Sequence, residues 1–141
     1  MEKPLFHLAI PVSDVFSAKA FYGDGLGCAV GRESTHAVIF NFYSHQLVAH
    51  VTEPPLRQQN GIYPRHFGLV FKTEADWETV RERAHSKQLK FYLESKRRFE
   101  GQLTEHLTFF LEDPFFNLIE FKYYCHSEAI FGGRELSEIG D

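Results

Sequence analysis

Phe6-His7-Leu8-Ala9-Ile10-Pro11-Val12 alternates with a period of two, and residues 66–71 repeat the theme as His66-Phe67-Gly68-Leu69-Val70-Phe71. A period of two puts Phe6, Leu8, Ile10 and Val12 on one face of a half-buried strand and His7 and Ala9 on the other. The same parity sets Phe67, Leu69 and Phe71 against His66 and Gly68. A helix signal follows each run. Ser13 and Asp14 are cap candidates ahead of Val15, Ala18, Phe21 and Tyr22, while Thr73-Glu74-Ala75-Asp76 has capping-box spacing ahead of Trp77, Val80 and Ala84.

Working outward, three strand-like runs follow each helix. Cys28–Arg32, Ala37–Phe42 and Gln46–Val51 belong to the first set, and Lys90–Glu94, Leu107–Leu111 and Leu118–Tyr123 to the second. Gly23 to Gly27 ends the first helix, and Asp113-Pro114 marks the turn before the last strand. The order strand, helix, strand, strand, strand thus occurs twice. We expect a single α+β domain over residues 1–141, made of two βαβββ modules forming a curved mixed sheet around a cleft. The modules span residues 4–54 and 62–125, with a Pro-rich linker between them and a tail at 126–141. Lys96–Glu105 reads as a polar loop long enough to act as a lid.

Parity also selects candidate functional residues. With Ile119, Phe121 and Tyr123 turned inward, Glu120 and Lys122 face the cleft; with Leu47, Ala49 and Val51 inward, Gln46, Val48 and His50 face it. His7, His66 and Glu120 therefore share the cleft side of three strands. Two imidazoles and one carboxylate form the facial set that holds a divalent metal, often iron(II), and leave positions open for substrate. A carboxylate between Ile119 and Phe121 also needs a partner, because an unpaired buried charge is costly. Small Ala9 and Gly68 leave room beside the histidines.

Composition removes several function classes. The 141 residues carry a net charge of −4, and Lys96-Arg97-Arg98 is too short a basic run for a nucleic-acid footprint. Two cysteines without a CxxC pattern give neither a disulfide framework nor a thiolate zinc site. No stretch has the length of a membrane span, and the N-terminus lacks a signal-peptide pattern, so the expected location is the cytoplasm. Phe is abundant, with 15 copies against one Trp, which points to a rigid aromatic interior.

Taken together, His7-Leu8-Ala9-Ile10-Pro11-Val12-Ser13-Asp14, Ala20-Phe21-Tyr22 with Leu26-Gly27-Cys28, His45 to His50, His66-Phe67-Gly68 and Asp113-Pro114 with Asn117 to Lys122 resemble the vicinal oxygen chelate superfamily, over about residues 5–125. That superfamily includes glyoxalase I, extradiol dioxygenases, fosfomycin-resistance proteins and bleomycin-binding proteins. The resemblance implies metal ligands at His7, His66 and Glu120 and a homodimer. It implies iron(II) first, with manganese(II), zinc(II) or nickel(II) as further candidates. It also implies a small-molecule substrate with two adjacent oxygens, catechol-like or enediol, and no nucleic-acid or membrane partner. His50 is implied as a catalytic acid/base of an extradiol-type dioxygenase, or as a fourth ligand in a glyoxalase-like lyase or isomerase. A fosfomycin-type thiol transferase and a non-catalytic binding protein are the remaining alternatives. Phe109 and Phe110 stand where extradiol enzymes commonly use a Tyr.

Bland roles compete with each of these. His45 lies at a turn on the opposite parity, and His36, His85 and His126 read as surface residues. His106 is placed near the cleft mouth, Phe109-Phe110 and Phe115-Phe116 in packing, and Lys122 at a solvated sheet edge.

Overall fold

The structure, a computed structural model, describes residues 1–140. Strand β1 (His7–Val12) leads into a short helix α1 (Val15–Ala18), which continues as a π-helical stretch over Lys19–Gly25. Strands β2 (Ala29–Glu33), β3 (Ala37–Phe42) and β4 (His45–Val51) complete the first module. The second holds β5 (Phe67–Phe71), α2 (Glu74–Ser86), β6 (Phe91–Arg98), β7 (His106–Glu112) and β8 (Leu118–Tyr124), followed by a 3-10 turn at Ser127–Ile130. Each module forms its own four-stranded mixed sheet, in the orders β1-β4-β3-β2 and β5-β8-β7-β6. β1 runs parallel to β4 and β5 parallel to β8; the remaining pairs are antiparallel. Among the described residues no helix is long and apolar enough to cross a membrane.

The caps form as the spacing requires. Asp14 accepts the Ser17 N–H at 2.6 Å, and Thr73 accepts the Asp76 N–H at 3.1 Å. Gly27, at φ +84°, lies within 3.0 Å of the Arg83 guanidinium at its Cβ position; there only glycine satisfies both the backbone and the space. The Arg83 side chain reaches on to the Gly25 carbonyl at 2.8 Å, tying α2 to the end of the first helix.

The inward residues of both sheets enter one apolar cluster that includes Ile10, Val12, Phe40, Leu47, Trp77, Phe109, Ile119 and Phe121. Across the module boundary Phe42 meets Phe67 and Phe121, and Tyr43 meets Phe71 and Phe121, at centroid separations of 5.9–6.4 Å. Polar contacts add to this seam. Tyr22, fully buried, donates its hydroxyl to Asp113 at 2.7 Å, and the Asn117 amide donates to the Pro11 carbonyl at 3.0 Å. Burial pushes the Asp113 carboxyl above its ordinary pKa, while Tyr22, Asn117 and two backbone N–H groups pull it back.

The expected lid at Lys96–Glu105 begins later. β6 extends through Lys96, Arg97 and Arg98, which pair with Thr108, Leu107 and His106. β6 is an edge strand, and charged residues are how such edges avoid pairing with other chains, so the basic triplet concealed a strand end. Lys122 is likewise not at an edge, because β8 is an interior strand of its sheet. The tail expected from residue 126 contains the 3-10 turn, and its last residue, Asp141, lies outside the described residues.

Replacing Tyr22 by Phe removes one hydrogen bond to a buried carboxylate that joins the modules. The expected loss is about 1.5–3 kcal/mol, measured as a lower urea midpoint at unchanged slope and fixed protein concentration.

Candidate metal centre

The parity argument for the outer faces holds in β1 and β8, while in β4 the outward-parity Val48 is buried. In β1, Ile10 and Val12 are buried while His7, Ala9 and Pro11 are exposed. In β8, Ile119 and Phe121 belong to the core, and Glu120 projects to the other side beside Gly68 of β5 and Phe110 of β7, its register partners. His66 immediately precedes β5 and turns to the same side.

His66 and Glu120 come together. Nε2 of His66 lies 3.2 Å from Oε1 of Glu120, with side-chain exposures of 24% and 11%. Each is held from behind. His66 donates Nδ1–H to the Ile62 carbonyl at 2.8 Å, an assignment fixed by the carbonyl, which can only accept. Glu120 accepts the Thr108 hydroxyl on Oε2 at 2.6 Å. Lys122 Nζ stands 3.8 Å from Oε1 and donates to the Tyr124 hydroxyl at 3.3 Å. The Phe110 ring packs edge-on against His66 at 5.0 Å, making that side of the pair apolar.

His7 sits on the outer face of the first sheet, exposed, with Nδ1 2.6 Å from the Gln46 carbonyl oxygen. It does not join the other two, and among the described residues no three His, Cys, Asp or Glu side chains gather into a metal-holding group. His50 is exposed on the same outer face, but the register pairs it with Pro11, whereas His7 pairs with Gln46. Four residues of strand separate the two, about 13 Å at 3.3 Å per residue. The β4 side chain beside His7 is therefore Gln46. Neither cysteine is a ready nucleophile: burial pushes the Cys28 thiol up to about 12 and raises that of Cys125 as well.

Sequence reasoning placed Gln46 on the cleft side without a role and missed Thr108 and Ile62. Gln46 and Thr108 lie on cleft parity in strands that were foreseen, so cross-strand register was the signal to follow. Ile62 acts through its backbone in the linker, where side-chain pattern carries no information. His45, by contrast, accepts the Phe6 N–H at 3.1 Å and opens β4, a structural role.

Comparison with known proteins agrees with this architecture. The family model for the Glyoxalase/Bleomycin resistance protein/Dioxygenase superfamily matches residues 5–121. The chain belongs to that superfamily. A solved structure described as a glyoxalase/bleomycin resistance protein/dioxygenase from Alicyclobacillus acidocaldarius is 38% identical, with a TM-score of 0.87 over 93% of this chain and 100% of its own. The fold is shared more distantly with a fosfomycin resistance protein of Listeria monocytogenes, at 14% identity and TM-score 0.68 over 92% of this chain and 99% of that one. It is also shared with a lactoylglutathione lyase of Agrobacterium tumefaciens, at 18% identity and TM-score 0.66 over 94% of this chain and 98% of that one. No curated protein sequence matches the chain.

Gly68 limits what the centre tolerates. A Cβ built there would fall on the Glu120 carbonyl, a backbone atom that cannot move without breaking the β5–β8 pairing. Gly68→Ala is expected to cost about 1–3 kcal/mol or more as overpacking. Faster amide hydrogen exchange in β5 and β8, with β1–β4 little changed, checks it.

Proposed function

We propose that this superfamily member is a divalent-metal enzyme acting on a small molecule with two adjacent oxygens, and that its metal is held by His66 and Glu120 of one chain and His7 of a second copy. The observation that carries the reading is the 3.2 Å approach of His66 Nε2 to Glu120 Oε1. With Nδ1–H committed to Ile62, a neutral His66 presents a lone pair to a carboxylate oxygen. Two acceptors at that distance require a cation between them, a proton or a metal. Oxygen and nitrogen ligands of a divalent ion each lie about 2.0–2.2 Å from it, so the spacing suits a shared ion.

The supporting contacts fit the same use. Metal-binding histidines commonly give their second N–H to a carbonyl or carboxylate, which fixes the ring and the tautomer. His66 does so on Ile62, which turns its Nε2 toward Glu120, and His7 does so on the Gln46 side-chain oxygen. Because both sheets direct their inner faces into one core, His7 cannot be brought across within the chain without dismantling that core. A partner's first sheet laid over the second sheet supplies it, in an isologous dimer with two equivalent sites.

The ion, when bound, supplies Lewis acidity that lowers the pKa of substrate hydroxyls and stabilises negative charge on their oxygens. The chain's residues do the rest. His66, Glu120 and His7 hold the ion and leave positions free. Thr108 and Ile62 fix two of those ligands, and Phe110 excludes water from one flank. Lys122 offers positive charge next to Glu120.

Two reaction classes fit this ligand set. The three-ligand pattern with open positions suits an extradiol-type dioxygenase using iron(II). A redox-neutral lyase, isomerase or transferase fits the same ligand set, and the residues that would hand protons to an extradiol substrate are out of place. Phe110, which cannot transfer a proton, lies against His66, and His50 stands about 13 Å along the strand from His7. We therefore place redox-neutral chemistry first.

Mixing His7→Ala with Glu120→Ala chains decides whether the site is shared. Each variant alone is expected to lose metal binding, while random mixed dimers regain about a quarter of wild-type sites, as a two-fold interface requires. Absence of recovery in stably mixed dimers, or a monomer in light scattering at micromolar concentration, would refute sharing. Thr108→Val keeps shape and removes the hydroxyl on Glu120; calorimetry should show metal affinity reduced about 10–100-fold, beside a stability loss of about 1.5–3 kcal/mol. Oxygen-electrode screening of iron-loaded protein with catechols separates the two reaction classes, with no uptake expected.

A further inference from the structure

A cavity of about 540 Å³ lies where the two modules meet beside the linker. The first module lines it with residues 8–11 of β1, the second with residues 66–67 and 115–118, and the linker with residues 55–57, 59 and 64–65. That volume falls within the roughly 300–1,000 Å³ of small-molecule sites. His66 is its one residue in common with the His66–Glu120 pair.

The lining is of two kinds. Leu8, Leu56, Phe67, Phe115 and Phe116 make most of it apolar. Arg57 and Arg65 also line it, and among the described residues no aspartate or glutamate does. Arg81, Arg83 and Arg97 are held elsewhere by Glu78, the Gly25 carbonyl and Glu105. Among the described residues neither the Arg57 nor the Arg65 guanidinium has such a partner. Gln59 keeps the two in one neighbourhood. Its side chain accepts the Arg65 N–H at 3.2 Å and donates to the Arg65 carbonyl at 3.0 Å, drawing residue 65 back to a position two residues after Arg57.

Phe116 is held against its own preference. Its φ of +70° lies in a region that bulky side chains rarely adopt. Asp113 imposes the turn by accepting the Phe115 and Asn117 N–H groups on Oδ1 at 2.9 and 2.8 Å. The turn buries Phe115 and leaves Phe116 38% exposed at the cavity. Strained residues of this kind persist where their surroundings over-determine them, and they gather at ligand sites.

Two positive charges without a counter-ion, set beside an apolar surface, are the complement of an apolar acid. A guanidinium fork matches a carboxylate through two parallel charge-assisted hydrogen bonds. An inorganic anion would leave the aromatic wall unused, and a neutral apolar molecule would leave the arginines unused. We propose that this cavity binds a small apolar carboxylic acid, its carboxylate held by Arg57 and Arg65 and its hydrocarbon body by Leu56, Phe67 and Phe116. Binding there needs no metal, so it does not depend on the roles given to His66 and Glu120.

Calorimetry on metal-free protein with octanoate, hexanoate and octanamide tests both halves of the site. Octanoate is expected to bind about tenfold tighter than hexanoate, for two more buried methylenes. It should also bind about tenfold tighter than octanamide, which has the same body without the charge. Arg57→Gln and Arg65→Gln together should bring the octanoate to octanamide ratio near one while octanamide affinity stays. Phe116→Asn, a residue that tolerates positive φ, should weaken both ligands together. The arginine Nε–Hε resonances of residues 57 and 65 should shift with octanoate and not with octanamide, a signal that two merely solvated arginines would not give. Equal affinity for octanoate and octanamide, a charge preference that survives the double arginine variant, or no octanoate binding at millimolar concentration would overturn the proposal.

Discussion

The aromatic seam between the modules, Phe42 and Tyr43 against Phe67, Phe71 and Phe121, governs everything else in the molecule. A βαβββ unit has one helix to cover one face of a four-stranded sheet, and that cover is incomplete. Here each module completes the other's inner face, and the cluster holds fully buried Phe40, Leu47, Phe109 and Phe121 without a break between modules. The cost is that both outer faces are left for other purposes. Once the inner face is committed, the alternation of side chains places His7, His66 and Glu120 outside as surely as it places Ile10, Leu69 and Phe121 inside.

This explains which features were legible in the sequence. A period of two is a property of single strands, so parity at His7, His66 and Glu120 could be read from local pattern, as could both caps and the repeat itself. Cross-strand relations are different in kind. His50 was placed on the correct face, but its offset from His7 depends on the register His7↔Gln46, which no local pattern encodes. Similarly, Lys96-Arg97-Arg98 has loop-like composition because it ends an edge strand, where solubility outweighs β-propensity. The buried His106 looked like one polar residue at a strand start; its ring packs against Phe99 and, across the sheet, Tyr124, a pairing beyond the reach of any short window.

The linker acts as more than a connection. Its Ile62 carbonyl fixes the His66 tautomer, and Tyr63 touches both the His66 ring and the end of the tail. Gln59 braces the same segment, donating to the Gly61 and Arg65 carbonyls and accepting the Arg65 N–H. A loop held by three hydrogen bonds presents His66 with less reorganisation than a free one, as the proposed metal site would require. Chain entering β5 is therefore ordered by backbone contacts that a comparison of side-chain patterns would not register.

A purely structural role for the outer-face residues meets a specific obstacle. An ion pair between a protonated His66 and Glu120 would account for those two residues alone, with Thr108 and Lys122 completing the carboxylate's partners. It gives no use to His7, an exposed imidazole on the other sheet whose Nδ1 is bound to Gln46 at 2.6 Å and whose Nε2 is left facing outward. Exposed histidines gain little by fixing one tautomer, since water satisfies either nitrogen. A fixed tautomer matters when the opposite nitrogen must present a lone pair in a set direction, which is the condition for binding a metal. Two histidines from different modules, each held through Nδ1 by a carbonyl oxygen, meet that condition separately; the carboxylate held by Thr108 meets its own. The proposed cation shared across a two-fold interface would use all three, whereas the His66–Glu120 contact alone leaves His7 without a role.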